Sequence, residues 1–266
     1  FDTICLVDHF MPVRGSLDEP FLEGWTLLAA LGALVPRVRV AIIVSGNTYR
    51  NPALLAKQAA TVDHITGGRL DLGIGAGWVE HEHIAYGFRF PTPGERVDML
   101  REACIVIRSL MAGGRANFTG QHYQLVDAPF QPPPVQPGGI PLMVAGEGDR
   151  MLKLTAEFAD IWNLNNSPER FAERGARLNH YCAIVGRDPE SIRWSAFSFP
   201  LVVDRDAFGS VENFRYLALR YIAAGADEIQ FRFPEDERGV ETLHAVPSVF
   251  DELRAAHAER TMRPGL

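Results

Sequence analysis

The sequence predicts an α/β fold in which parallel strands alternate with helices, and within that class a (β/α)8 barrel, the TIM barrel. Three observations carry the prediction. Short apolar, β-branched runs alternate along the chain with stretches of helical spacing. The strand runs hold almost no polar residue, as expected where both faces of a parallel sheet are covered. Polar and glycine-rich segments follow the strands directly, where such folds place their chemistry. The length of 266 residues suits one barrel of about 250 residues. No break in composition marks a boundary, so residues 1–266 are read as a single barrel domain. An open, doubly wound sheet is the competing arrangement.

Each element has its own signal. Thr3 to Val7 is a short strand run that ends in Asp8-His9-Phe10. Trp25 to Val35 reads as a buried helix entered through Pro20, and Val38 to Val44 as a nearly all-apolar strand. Asn51-Pro52 supplies a helix cap and a proline at the first helical position, so a helix runs to about Ile65, where Gly67-Gly68 stops it. Arg69 to Ile74 is the third strand, leading into Gly75-Ala76-Gly77. Residues 78–90 read as a connection, and a helix follows from about Pro93 to Met111. Its apolar positions Val97, Leu100, Cys104, Ile107 and Leu110 keep helical spacing. Residues 113–139 are rich in Pro, Gly and aromatic residues and too long for a plain connection, so they are read as an insertion or functional flap. Strands at Ile140 to Ala145, Asp160 to Leu164, Trp194 to Val203 and Glu228 to Phe233 alternate with helices ending near Phe158, at Val185 and at 224, and with a last helix over 241–260. Seven strands are predicted where a closed barrel needs eight. A βα unit of about 30 residues is therefore expected upstream of Phe1.

Composition narrows the function classes. With 47% hydrophobic and 22% charged residues the chain can build a continuous core, which excludes a disordered protein. The longest apolar run, Thr26 to Val35, is about half of a bilayer span, so no membrane anchoring is expected. No charged leader before an apolar stretch signals secretion. A net charge of −7 disfavours a broad grip on nucleic acid. Cys5, Cys104 and Cys182 are odd in number and far apart, which supports neither disulfides nor a thiolate metal site and fits a reducing cytoplasm. Only Lys57 and Lys153 are lysines, and both fall within predicted helices, which argues against Schiff-base chemistry.

The candidates for chemistry sit at strand ends. His9 can take or release a proton near neutral pH, or simply tie down a loop. Gly73-Ile74-Gly75-Ala76-Gly77 permits close backbone approach to a ligand but lacks dinucleotide-fingerprint spacing; tight strand packing is the alternative. Gly146-Glu147-Gly148-Asp149 opens a helix whose free amides suit a phosphate, provided Glu147 points outward; capping by Asp149 is the rival reading. Glu80-His81-Glu82-His83 resembles a metal cluster, but positions i and i+2 of a helix do not share a face, and no metal is expected. No nucleophile elbow occurs. Phe10, Tyr49, Trp78 and Trp162 follow strands and are candidates to line a pocket for a flat ring, with core packing as the alternative for each.

Taken as an ordered set, these segments resemble the luciferase-like monooxygenase family. The matching stretches are Asp2-Thr3 into Val7-Asp8-His9-Phe10, Glu23-Gly24-Trp25, Gly46-Asn47-Thr48-Tyr49-Arg50-Asn51-Pro52, Gly67-Gly68-Arg69-Leu70, Gly73 through Trp78, Gly94-Glu95-Arg96 and Ala159-Asp160-Ile161-Trp162-Asn163. The resemblance spans nearly the whole chain and is nearest to the branch that uses coenzyme F420 rather than FMN. It implies the (β/α)8 barrel of the bacterial luciferase-like type, with its first βα unit upstream of Phe1. It also implies a deazaflavin ring in the barrel mouth against a bulge in the strand Ala41 to Ser45, with a cis non-proline peptide falling at Ile42–Ile43. By the same resemblance Asp8, Ile42, Ile43 and Ser45 lie at the ring, the backbones of Gly75-Ala76-Gly77 and Gly146-Glu147-Gly148 grip the cofactor tail, and His9 is the catalytic proton carrier. Trp78 stands where sugar-phosphate dehydrogenases of the branch carry Glu, which favours a larger, more apolar substrate. Glu147 replaces a residue that is usually small. The implied activity is hydride transfer between F420 and a small organic molecule, in a cytoplasmic enzyme whose relatives are often homodimers. Three rivals stay open: an FMN-dependent monooxygenase, a cofactor-binding protein without turnover, and a metal-dependent hydrolase on the same scaffold.

Overall fold

Residues 1–199 and 202–262 are described by a computed structural model, and they partition into two compact units, Phe1–Ala145 and Gly146–Leu266. The first unit begins with β1 (Thr3–Leu6), α1 (Gly24–Leu34), β2 (Arg39–Gly46), α2 (Pro52–Thr66) and β3 (Leu70–Gly75). Asn51 caps α2 by accepting from the amides of Ala53 and Leu54, and Gly67 ends it in the left-handed region at φ 64°. α1 is capped by Glu23, which accepts from the amides of Trp25 and Thr26, so the helix starts at Gly24, one residue before the expected Trp25. Gly24 lets α1 approach the end of β1: a Cβ there would lie 2.5 Å from the Val7 carbonyl oxygen.

The connection after β3 contains a short helix, α3 (Glu80–Tyr86), before the long α4 (Pro93–Met111). A hairpin of β4 (Arg115–Thr119) and β5 (Gln124–Pro129) follows, then β6 (Leu142–Ala145). β1, β2, β3 and β6 pair in parallel in that order, with Leu6 opposite Ile42, Ile42 opposite Leu72 and Ile74 opposite Val144. β3 is buried along its whole length, Asp71 included, whose carboxylate pairs with Arg39. Leu55, Ala56 and Ala59 of α2 and Leu100, Cys104 and Ile107 of α4 supply fully buried residues of this unit's core.

One irregularity shapes the site. Ile42 pairs with Leu72 but Ser45 pairs with Ile74, so β2 carries one residue more than β3 over that stretch. The cis peptide lies at Ile43–Val44, one residue beyond the expected Ile42–Ile43. Pairing is still regular through Ile42, and the departure falls only in the extra span before Ser45.

The insertion over 113–139 is pinned rather than loose. Glu102 of α4 accepts from the amides of Gln121, His122 and Tyr123 at 2.7, 2.8 and 3.1 Å. Further on, Asp63 of α2 accepts from the amides of Val135 and Gln136 and from the Gln136 side chain.

The second unit runs through α5 (Asp149–Phe158), β7 (Ile161–Leu164), α6 (Pro168–Val185), β8 (Arg193–Ser198), α7 (Val211–Ala223), β9 (Glu228–Phe231), α8 (Glu237–Ala245) and α9 (Phe250–Thr261). β7 pairs with β8 and β8 with β9, all parallel. β8 ends at Ser198, short of the expected Val203; residues 200 and 201 lie outside the described residues. The expected final helix over 241–260 is two helices. Pro247, which cannot donate to a helical hydrogen bond, sits in a one-turn 3-10 segment, Val246–Val249, between them. Trp162, Phe171, Leu178, Cys182 and Tyr221 form the centre of this unit's core. Among the described residues no helix is long and apolar enough to cross a membrane.

Candidate active site

The end of β1 delivers Asp8, His9 and Phe10 into a buried polar cluster of the first unit. Asp8 is shielded from solvent, and both its oxygens accept from Arg50, at 2.8 Å from Nε and 2.6 Å from a terminal nitrogen. Arg50 also donates to Glu23. Burial opposes charge on Arg50, but its carboxylate partners outweigh that and hold it protonated more firmly than usual. Glu23 is likewise opposed by partial burial. The bonds it accepts from Thr26, Arg50 and Trp25 nevertheless bring its pKa down to about 2. Both oxygens of the Asp8 carboxylate are thus taken by Arg50, which fixes the loop after β1.

His9 is the next residue, with its ring mostly enclosed. Its Nδ1 lies 2.8 Å from Oε2 of Glu82. Glu82, on α3, is fully buried and also accepts from the Phe10 amide at 2.5 Å and from the Tyr49 hydroxyl. Burial pushes the Glu82 pKa up, yet the bonds from His9, Tyr49 and Phe10 prevail and hold the carboxyl below its ordinary range. Burial and the neighbouring Glu82 push Tyr49 well above the usual phenol range. No described residue bonds Nε2 of His9.

The motif Glu80-His81-Glu82-His83 is split by its helix. Glu82 and His83 are buried while Glu80 and His81 face solvent. His83 Nδ1 contacts the Val79 carbonyl at 2.6 Å and Nε2 the Thr48 hydroxyl at 2.6 Å, so both ring nitrogens are occupied. No group of three metal-ligating side chains occurs among the described residues.

The expected pocket residues separate. Trp78 is 65% exposed, lies edge-on to the His9 ring at 6.0 Å, and lines a cleft of about 510 Å³ with Phe90 and Arg96. Phe10 packs edge-on to Tyr49 at 5.1 Å and stacks on Phe88 at 5.5 Å. Tyr49 is tied to Glu82 and fills the space a side chain at Gly46 would need. Trp162 does not line a pocket. Its ring is fully buried against Phe171 at 4.9 Å, with its N–H given to the Gly146 carbonyl, so it is core.

The expected cofactor contacts divide in the same way. Ile42 and Ser45 are fully buried, and the Ser45 hydroxyl accepts from Trp25 Nε1 at 2.8 Å. Ile43 and Val44, on the bulge, are half-buried. The glycines of 73–77 are accounted for by packing: added Cβ atoms at Gly73, Gly75 and Gly77 would meet the Ile42 carbonyl oxygen at 2.0 Å, Val44 at 2.8 Å and Thr48 at 2.4 Å. Ala76 is half-buried beside them. In the second unit Gly148 is the N-cap of α5 and makes no side-chain cap bond, and Glu147 pairs with Arg170 at 2.8 Å. Asp149 is the first helical residue rather than the cap, and it pairs with Arg174 and Arg177.

Sequence reasoning missed the role of Glu82. Its signal was present: Val79, Glu82 and His83 follow i, i+3, i+4 spacing, which puts the carboxylate on the inner face with an apolar anchor. It also missed Asn47, which is buried at the end of β2. Its side-chain nitrogen donates to the Tyr123 hydroxyl at 3.1 Å while its oxygen finds no partner.

Against this geometry, the sequence model of the luciferase-like monooxygenase family matches residues 1–264. The chain belongs to that family. Among curated relatives of this luciferase-like chain, pyrimidine monooxygenase RutA of Stutzerimonas stutzeri is 33% identical over 177 residues, covering 64% of this chain and 48% of the relative. An uncharacterized protein of Mycobacterium tuberculosis is 35% identical over 144 residues, covering 54% of this chain and 48% of the relative. The chain thus spans about half the length of these relatives. Among solved structures, an F420-dependent secondary alcohol dehydrogenase in complex with an F420-acetone adduct superposes with a TM-score of 0.81 at 19% identity, covering 94% of this chain and 90% of that one. Long-chain alkane monooxygenase LadA superposes with a TM-score of 0.69 at 15% identity, covering 88% and 74%. These likenesses establish the (β/α)8 barrel of the luciferase-like type as the fold.

Proposed function

We propose that the protein is an oxidoreductase that moves a hydride between coenzyme F420 and a small organic substrate, with His9 handling the accompanying proton at Nε2. The observation that carries the reading is the His9 ring, held through Nδ1 by a buried carboxylate with its other nitrogen left open at the end of a barrel strand.

The residues present fit a planar redox ring. Ile43 and Val44 offer a half-exposed apolar wall on the bulge, and Asn47 keeps an unpaired buried acceptor just beyond it. Every carboxylate of this cluster is engaged by donors, Asp8 and Glu23 by Arg50 and Glu82 by His9, Tyr49 and the Phe10 amide. When bound, F420 supplies a carbon that carries hydride. In this reading the loop at Gly75-Ala76-Gly77 lies along its tail. Trp78 and its cleft shape the substrate end, where an indole rewards apolar surface. Support also comes from the likeness to an F420-dependent alcohol dehydrogenase along 90% of that chain.

A second reading, FMN with oxygen, is favoured by the monooxygenase names of RutA and LadA among the relatives. Titrating the purified protein with each cofactor and following fluorescence separates the two. Saturable F420 binding with weak or absent FMN binding is expected. Tight FMN binding without F420 affinity overturns the proposal.

A further inference from the structure

A carboxylate can only accept hydrogen bonds, so whatever meets it must donate. Glu82 meets three groups: Oε2 takes His9 Nδ1 and the Tyr49 hydroxyl, and Oε1 takes the Phe10 amide. The two backbone-anchored partners come from different elements, Phe10 following β1 and Tyr49 following β2, so the carboxylate is held against rotation from both sides. Its complete burial makes ionisation costly unless every one of these donors stays in place. His9 therefore has one role open to Nδ1, that of proton donor.

We infer that Glu82 is the positioning residue of His9: it locks the neutral imidazole with its proton on Nδ1, so that Nε2 presents an unprotonated lone pair to a ligand. This reverses the tautomer that an imidazole prefers in water. It also places a negative charge beside the imidazolium that forms when Nε2 takes a proton, as the carboxylate does in a carboxylate–histidine pair of a hydrolytic triad. His83 serves as an internal reference. Its Nδ1 faces the Val79 carbonyl, which also demands a donor there, but its Nε2 is closed by Thr48. Tyr49 acts on Glu82 rather than on His9, donating to the same oxygen that meets His9 Nδ1.

The tautomer itself does not depend on F420, whereas its use in turnover rests on the function proposed above. Long-range 15N–1H correlation of the imidazoles in the uniformly labelled full chain at neutral pH reads the tautomer directly, with the His9 signals assigned by their loss in His9→Gln. The wild type is expected to show His9 protonated at Nδ1 and bare at Nε2. Glu82→Leu should invert that pattern, and Tyr49→Phe should keep it. A wild-type His9 protonated at Nε2 overturns the inference whether or not either variant folds, and so does a folded Glu82→Leu chain that retains the wild-type pattern. Loss of F420 binding with the expected tautomer intact would count against the proposed cofactor and leave Glu82 in its role.

Discussion

Polar side chains follow or line the strands in both units, and they are used differently. In Phe1–Ala145 they are charged and buried: Asp8 against Arg50, and Glu82 against His9, with one ring nitrogen kept open. In Gly146–Leu266 the buried strand residues Asn163, Ser195 and Gln230 are neutral and join one another, Asn163 donating to Gln230 at 2.8 Å and to Ser195 at 3.2 Å. Charge in that unit stays at the surface, as in Glu147 with Arg170. Neutral amides that bond each other satisfy a core and leave little for chemistry. Burying a carboxylate is costly, and in the first unit that carboxylate orients the His9 ring. The contrast supports the proposed placement of the chemistry at the ends of β1 and β2.

Removing the oriented group gives the largest effect. His9→Ala should lower kcat by about 10²–10⁴-fold, the usual worth of a positioned acid or base, with any substrate the wild type turns over. Cofactor binding measured by fluorescence should change little. An unchanged kcat would leave the first unit with no more claim to the chemistry than the second.

A pair of tryptophans sharpens the comparison. Trp78 follows β3 and is 65% exposed, whereas Trp162 lies within β7 and is fully buried. Trp162→Ala should cost about 3–5 kcal/mol in denaturant unfolding, the usual penalty for emptying an aromatic core site. Trp78→Ala should fall within about 0.5 kcal/mol of wild type and alter substrate preference instead. Equal losses of stability from the two would erase the distinction between core and pocket.

Acid titration probes the charged network with a smaller effect. The Glu23 pKa falls from an ordinary 4.5 to about 2 in the folded chain, so its contribution is complete above pH 4.5 and drains away as pH drops toward 2. Because this side chain is one-third exposed, the contribution is on the order of 1 kcal/mol. Glu23→Gln should therefore destabilise the protein at pH 6 and flatten its loss of stability between pH 4.5 and 2. A variant whose stability falls with acid as steeply as the wild type in that window would mean the Glu23–Arg50 contact carries no weight.

The local grammar of the chain foretold much of this. Asn51-Pro52 and Gly67-Gly68 bracket α2 because capping and left-handed termination are decided within a few residues. Asp8-His9 was legible as a strand-end pair for the same reason. The inward face of Glu82 was legible too, but its partners were not, because they lie 73 and 33 positions away and only the tertiary fold brings them together. The tryptophans looked alike in sequence, since a residue after a strand points into a core or a cleft according to what packs over it. The glycines of 73–77 suggested a ligand cradle; their neighbours Ile42 and Val44 in β2 and Thr48 beyond it also leave no room for side chains there.

The claim that a deazaflavin sits beside His9 can be tested without a known substrate. Diethyl pyrocarbonate acylates open imidazole nitrogens, and peptide mass spectrometry locates the adducts. His9, with Nε2 open, should be modified in the free protein and protected by saturating F420, while His83, bonded at both nitrogens, stays unmodified throughout. Modification of His9 to the same extent with F420 bound would contradict the account.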